Sequence, residues 1–163
     1  MSQKEEAKTA PPEALNAAAA QQLDKLAALA KNLSAIAEGR VQELAMKNQW
    51  IITKSDKSQV TINFQKPTVG QWLELDGLSN KCIQVVNKYK NQIVANKNKP
   101  EAWGGIIAEG KAAITKALVA TLVKQAEYYF GMAEDDFYTM PYRDMVELIH
   151  ACKIREENGD PNA

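Results

Sequence analysis

Along the first third of the chain, Leu15, Ala19, Gln22, Leu26, Leu29, Leu33 and Ile36 recur at alternating four- and three-residue steps, a seam that is apolar except at Gln22. No proline falls between Glu13 and Asn48, and Pro12 suits the start of a helix. The pattern therefore predicts an extended, coiled-coil-like helix over 13–48, with Gly39 interrupting the seam after about three heptads. Such a face either folds back on its own domain or is exchanged with another subunit, and the spacing alone leaves both open. On the second alternative Leu26, Leu29, Leu33 and Ile36 form a protein interface.

The period then changes. Trp50, Ile51, Ile52 and Thr53 lead into Ser55-Asp56-Lys57-Ser58, after which Val60, Ile62 and Phe64 alternate with Thr61, Asn63 and Gln65. This predicts a β-hairpin. Two strands do not stand alone in water, so their apolar face must lie on a helix or join a larger sheet, and an open edge is a docking opportunity. Val60, Ile62 and Phe64 are accordingly candidate contact residues.

Helical spacing returns after Pro67. Thr68 can cap a short helix carrying Val69, Trp72, Leu73 and Leu75 and ended by Gly77; Ser79 can cap a longer one to about Asn96, with Cys82, Val85, Val86, Tyr89 and Ile93 on one side. Pro100 opens a helix to about Phe130, which Gly131 should stop. After the acidic turn Glu134-Asp135-Asp136, Pro141 precedes a last helix with Tyr142, Met145, Val146, Ile149 and Cys152 as its core stripe. The expected fold is mainly α, a helical bundle with a long N-terminal heptad helix and one β-hairpin. Its expected layout is a disordered tail over 1–12, the seam helix over 13–48, a hairpin plus helical domain over 49–157, and a frayed tail over 158–163.

Composition narrows the chemistry. The chain has 163 residues, enough for one domain or a small core with an arm, and its 20 basic and 20 acidic side chains balance. Charge is uneven locally. Lys81, Lys88, Lys90, Lys97 and Lys99 lie between Gly77 and Pro100 without an acid, whereas Glu134 to Glu157 is strongly acidic. Those lysines are a candidate polyanion contact, with Tyr89 as a stacking ring, although the stretch lacks arginine. Cys82 and Cys152 fit two thiols in a reducing compartment better than a disulfide framework. The N-terminus lacks the apolar stretch of a secretory signal, and the best apolar run, Ala117 to Val123, falls far short of a membrane span.

Two motif-like runs fail on context. Gly105 to Ala112 has the glycine and lysine spacing of a phosphate loop, but Ala112 replaces the magnesium-holding hydroxyl and Glu109 would repel phosphate; two helix glycines admitting a neighbouring helix explain it better. Glu147-Leu148-Ile149-His150 matches one Glu-x-x-His element of di-iron bundles, but His150 is the sole histidine and both residues should face solvent. No nucleophile has a base nearby in sequence, so no catalytic, cofactor or metal residues are expected.

The run Phe64-Gln65-Lys66-Pro67-Thr68-Val69-Gly70-Gln71-Trp72-Leu73-Glu74-Leu75, a strand ending in Pro-Thr and then an amphipathic helix, resembles small tail-assembly and virion proteins of tailed bacteriophages, including tail assembly chaperones. Asp144-Met145-Val146-Glu147-Leu148 is similar to the C-terminal end of such proteins. The resemblance implies a helical, non-enzymatic, oligomer-forming protein of the host cytoplasm or the virion. It would bind itself or a larger tail or virion protein through the hairpin and Trp72. Nucleic-acid binding by the lysine stretch is the alternative.

Overall fold

A computed structural model describes residues 17–159. The expected tail 1–12, residues 160–163 of the expected tail 158–163, and the seam position Leu15 lie outside the described residues. In chain order the elements are α1 (Ala17–Leu33), α2 (Glu38–Ala45), β1 (Gln49–Thr53), β2 (Gln59–Asn63), α3 (Val69–Ala95), α4 (Pro100–Phe130), α5 (Glu134–Phe137) and α6 (Tyr142–Asn158). The protein is mainly helical with one antiparallel hairpin. Its described residues sort into two compact units: one holds α1 with residues 79–118, the other residues 34–78 with residues 119–159. The long helices α3 and α4 contribute to both.

In the first unit the seam of α1 is used inside the chain. Ala19 and Leu26 are wholly buried with Tyr89, Ile93, Trp103 and Ile114, and Leu23, Leu29 and Ala30 pack around them. Burial of a leucine or isoleucine of this size contributes about 1.5–3 kcal/mol, so this face of α1 is held mainly by apolar contact. The close approach needs Gly110. A Cβ there would lie 2.9 Å from Leu26 Cδ2 and 3.2 Å from Tyr89 Cγ. At the α3–α4 turn the indole Nε1 of Trp103 donates to the Asn96 carbonyl at 2.9 Å, which satisfies the buried ring's polar atom.

The second unit is built around α6 and the second half of α4. The inward residues Trp50, Ile52 and Ile62 of the hairpin join Leu122, Val123, Ala126, Phe130, Met145, Val146, Leu148, Ile149 and Cys152 in one core. Register runs from Gln49 opposite Asn63 to Thr53 opposite Gln59. Trp50 meets Phe130 edge to face at 6.3 Å, and its Nε1 donates to the Leu44 carbonyl at 2.9 Å. Gly131, at φ +69°, ends α4 where the left-handed conformation favours glycine, as the sequence predicts.

Two helix boundaries differ from expectation. The helix predicted over 13–48 breaks at Ser34–Ala37, ahead of Gly39, which lies inside α2. The break frees the Ala35 carbonyl to accept from Arg143 Nη1 at 2.7 Å, and it lets Val41 and Ala45 of α2 pack on Ala151 of α6. The two helices predicted on either side of Gly77 are one, α3, because an isolated helical glycine costs only about 1 kcal/mol and 27 residues of hydrogen bonding outweigh it. Ser79 therefore caps nothing. Thr68 does cap α3: its Oγ1 accepts from the Gln71 N–H at 3.2 Å while Gln71 Oε1 accepts from the Thr68 N–H at 3.0 Å, a reciprocal capping box.

Candidate protein interface

The capping box sets the direction of α3, and with it what the first turns of that helix show to solvent. Val69, Trp72 and Leu73, spaced i, i+3 and i+4, share one face and are 79%, 48% and 59% exposed, whereas Leu75 is turned into the core. Trp50 and Trp103 are buried, so Trp72 is the exposed indole. On the hairpin the outward apolar residue is Ile51, 67% exposed. Beside β1 lies a cavity of about 300 Å³ lined by Arg40, Leu44, Lys47, Trp50, Asp144 and Leu148 among others.

The remaining interface candidates are mostly covered by their own chain. Leu26 and Ile62 are buried, and Leu29, Leu33, Ile36, Val60 and Phe64 are half-buried. Ile36, Val60 and Phe64 all pack against the core of the second unit. Ile51 was the residue that alternation could have exposed: with Trp50 and Ile52 inward, the isoleucine between them had to face out.

The lysines do not converge. Lys81 and Lys88 are exposed and seven residues apart, hence on one side of α3, but nine residues separate Lys81 from Lys90, which turns that side chain to the opposite side. Lys97 is half-buried and Lys99 exposed, both beyond the end of the helix. Tyr89, the proposed stacking ring, is buried under Leu26 and Gly110.

Glu147 corrects another expectation. It is buried, because α6 is enclosed on nearly all sides from Met145 to Cys152. Its Oε1 lies 3.6 Å from Arg40 Nη1, while Oε2 has no hydrogen-bond partner among the described residues. Arg40 also pairs with Asp144 at 2.9 Å. His150 is half-buried, and burial with the nearby Lys153 ammonium holds its imidazole below its ordinary pKa. Arg155 is buried too: its guanidinium donates to the Ala45 carbonyl at 2.9 Å and to Asn48 Oδ1, and lies 5.2 Å from the Phe64 ring. Sequence reasoning missed it, although it sits three residues beyond Cys152 on the core stripe.

Burial drives the Cys152 thiol and the Tyr129 phenol well above their usual ranges, and Tyr129 also donates to Glu156 Oε2 at 2.6 Å. Both stay neutral, which suits structural roles. Among the described residues no group of three or more His, Cys, Asp or Glu side chains is placed to hold a metal ion, and no helix is long and apolar enough to cross a membrane. The run Gly105 to Ala112 lies within α4, so it offers no phosphate loop. No family model, curated protein or solved structure matches the chain.

Proposed function

We propose that this chain is an assembly protein that works by contact with other polypeptides, beginning with its own copies, and performs no chemistry of its own. The observation that carries the reading is the cluster of Val69, Trp72 and Leu73 on the first turns of α3. Three large apolar side chains at helical spacing stand in solvent there, held by a satisfied cap. Exposed apolar clusters of this kind mark contact sites, and tryptophan is enriched at the energetic centre of interfaces. The stretch Phe64 to Leu75 that ends on this face is also the one that resembles phage tail-assembly and virion proteins. That likeness supports an assembly or structural role of phage type in the host cytoplasm or particle.

Trp72 supplies the test. Acrylamide should quench its emission in dilute solution, and the quenchable fraction should fall as the chain associates, followed in parallel by sedimentation over a wide concentration range. Replacing Trp72 and Leu73 by Asp should weaken association and leave the far-ultraviolet helical signal unchanged. A chain that stays monomeric, with Trp72 equally quenchable throughout, overturns the reading.

Polyanion binding has one observation in its favour: the described residues of the first unit carry nine lysines against three acids. Titration with single-stranded and duplex DNA at low and high salt tests it, since phosphate contacts weaken steeply as salt rises. Absence of binding at low salt removes it.

A further inference from the structure

The geometry points to β1 as a self-pairing edge, through which two copies join their hairpins into one four-stranded antiparallel sheet with Ile51 on the two-fold axis. This rests on the reading above, that the chain associates with itself, and adds to the Val69, Trp72 and Leu73 face a second surface with its occupant.

Hydrogen-bond parity shows which way β1 offers its backbone. The Phe64 N–H donates to the Asn48 carbonyl at 2.9 Å and the Lys54 N–H to the Ser58 carbonyl at 2.8 Å, one pair at each end of the hairpin. In an antiparallel ladder such bonded pairs alternate with non-bonded ones. Trp50 and Ile52 therefore bond inward to Ile62 and Val60, while Gln49, Ile51 and Thr53 direct their N–H and C=O groups to the opposite edge. Among the described residues no third strand lies there.

Sheet edges are commonly blunted by proline, by charge or by a bulge. Within β1 none of these occurs: Gln49-Trp50-Ile51-Ile52-Thr53 is uncharged and its register is unbroken, and the cavity beside it, shared with Arg40 and Leu44 of α2, is where a second strand would enter. Its outward positions read polar, apolar, polar, which is the same in either direction. An antiparallel copy centred on Ile51 places Ile51 against Ile51, Gln49 against Thr53, and the flanking Lys47 and Lys54 against Ser55 and Asn48. No like charges meet. Centring on Gln49 instead sets Ile51 against Lys47 and runs Thr53 into α2, and centring on Thr53 runs Gln49 into the turn. Among the registers centred on an outward residue, the neutral edge thus favours a second copy centred on Ile51, with the isologous symmetry of common dimers.

Cross-linking in the full chain tests this, with Cys82→Ser as background because Cys152 is buried. Residues of a hydrogen-bonded antiparallel pair have Cα atoms about 5.5 Å apart, within disulfide reach. Under mild oxidation Ile51→Cys should give a disulfide-linked dimer. Gln49→Cys or Thr53→Cys alone should not, since each residue lies roughly 14 Å from its own copy, but a mixture of the two should cross-link. Independently, Ile51→Lys should raise the concentration needed for association about tenfold or more and leave the helical signal intact. If association and Trp72 protection persist in Ile51→Lys and the Ile51→Cys chain does not cross-link, the edge pairing is overturned and the wider reading stands. A wild-type chain that never associates overturns both.

Discussion

Gly105 and Gly110 sit five residues apart on α4, and their surroundings give them opposite roles. A Cβ at Gly105 would meet open space, so Gly105→Ala should stabilise the fold by about 0.5–1 kcal/mol through helix propensity. At Gly110 the same methyl would press on Leu26 and on the base of the Tyr89 ring, and overpacking costs of about 1–3 kcal/mol outweigh that gain. Gly110→Ala should therefore lower stability by about 1 kcal/mol, and urea unfolding of the two variants checks the sign of each. His150 gives a second prediction. Its folded pKa lies below the unfolded value of about 6.5, so the unfolded chain takes up the proton first. Stability is then full above that pH and falls as pH drops through it, and His150→Gln should reduce the loss between about pH 7 and pH 5 in urea titrations. At this scale the cap at Thr68 and the stop at Gly131 were legible, because each depends on a residue's own backbone chemistry. Buried Glu147 and Arg155 were not, since charged side chains enter a core only where other elements supply partners.

Elements followed their periodicities more faithfully than their boundaries did. The hairpin and the last helix were legible because alternation and three-four spacing survive in short windows. The break at Ser34–Ala37 was not: nothing local forbids helix there, and what draws the chain out is Arg143 and Ala151, more than a hundred residues away. At Gly77 the local signal was present but weak against the continuity of α3. Gly131 is the reverse case, a glycine whose φ of +69° the helix end requires and whose Cβ would lie 2.9 Å from Gln65 Nε2. Gly131→Ala should cost about 1–2 kcal/mol, read as a lower urea midpoint with an unchanged denaturant slope.

Over the whole molecule, zero net charge conceals a division. The described residues of the first unit carry nine basic groups against three acids, and those of the second nine against thirteen. A sequence window showed the lysine and acid runs but not their membership of separate units, because α3 and α4 each belong to both. Association through the uncharged β1 edge should change little between low and high salt, whereas any polyanion contact of the first unit should weaken steeply; sedimentation and titration at two ionic strengths distinguish them. Arg155 has a bearing on how the protein is made. One guanidinium on α6 joins the last carbonyl of α2, Asn48 before β1 and Phe64 after β2. On the ribosome the hairpin emerges roughly ninety residues before the side chain that fastens it, at about 5–20 residues per second. For that interval of several seconds the two strands lack the core they lie on, so pairing between copies through the hairpin should follow the completion of α6 and not precede it.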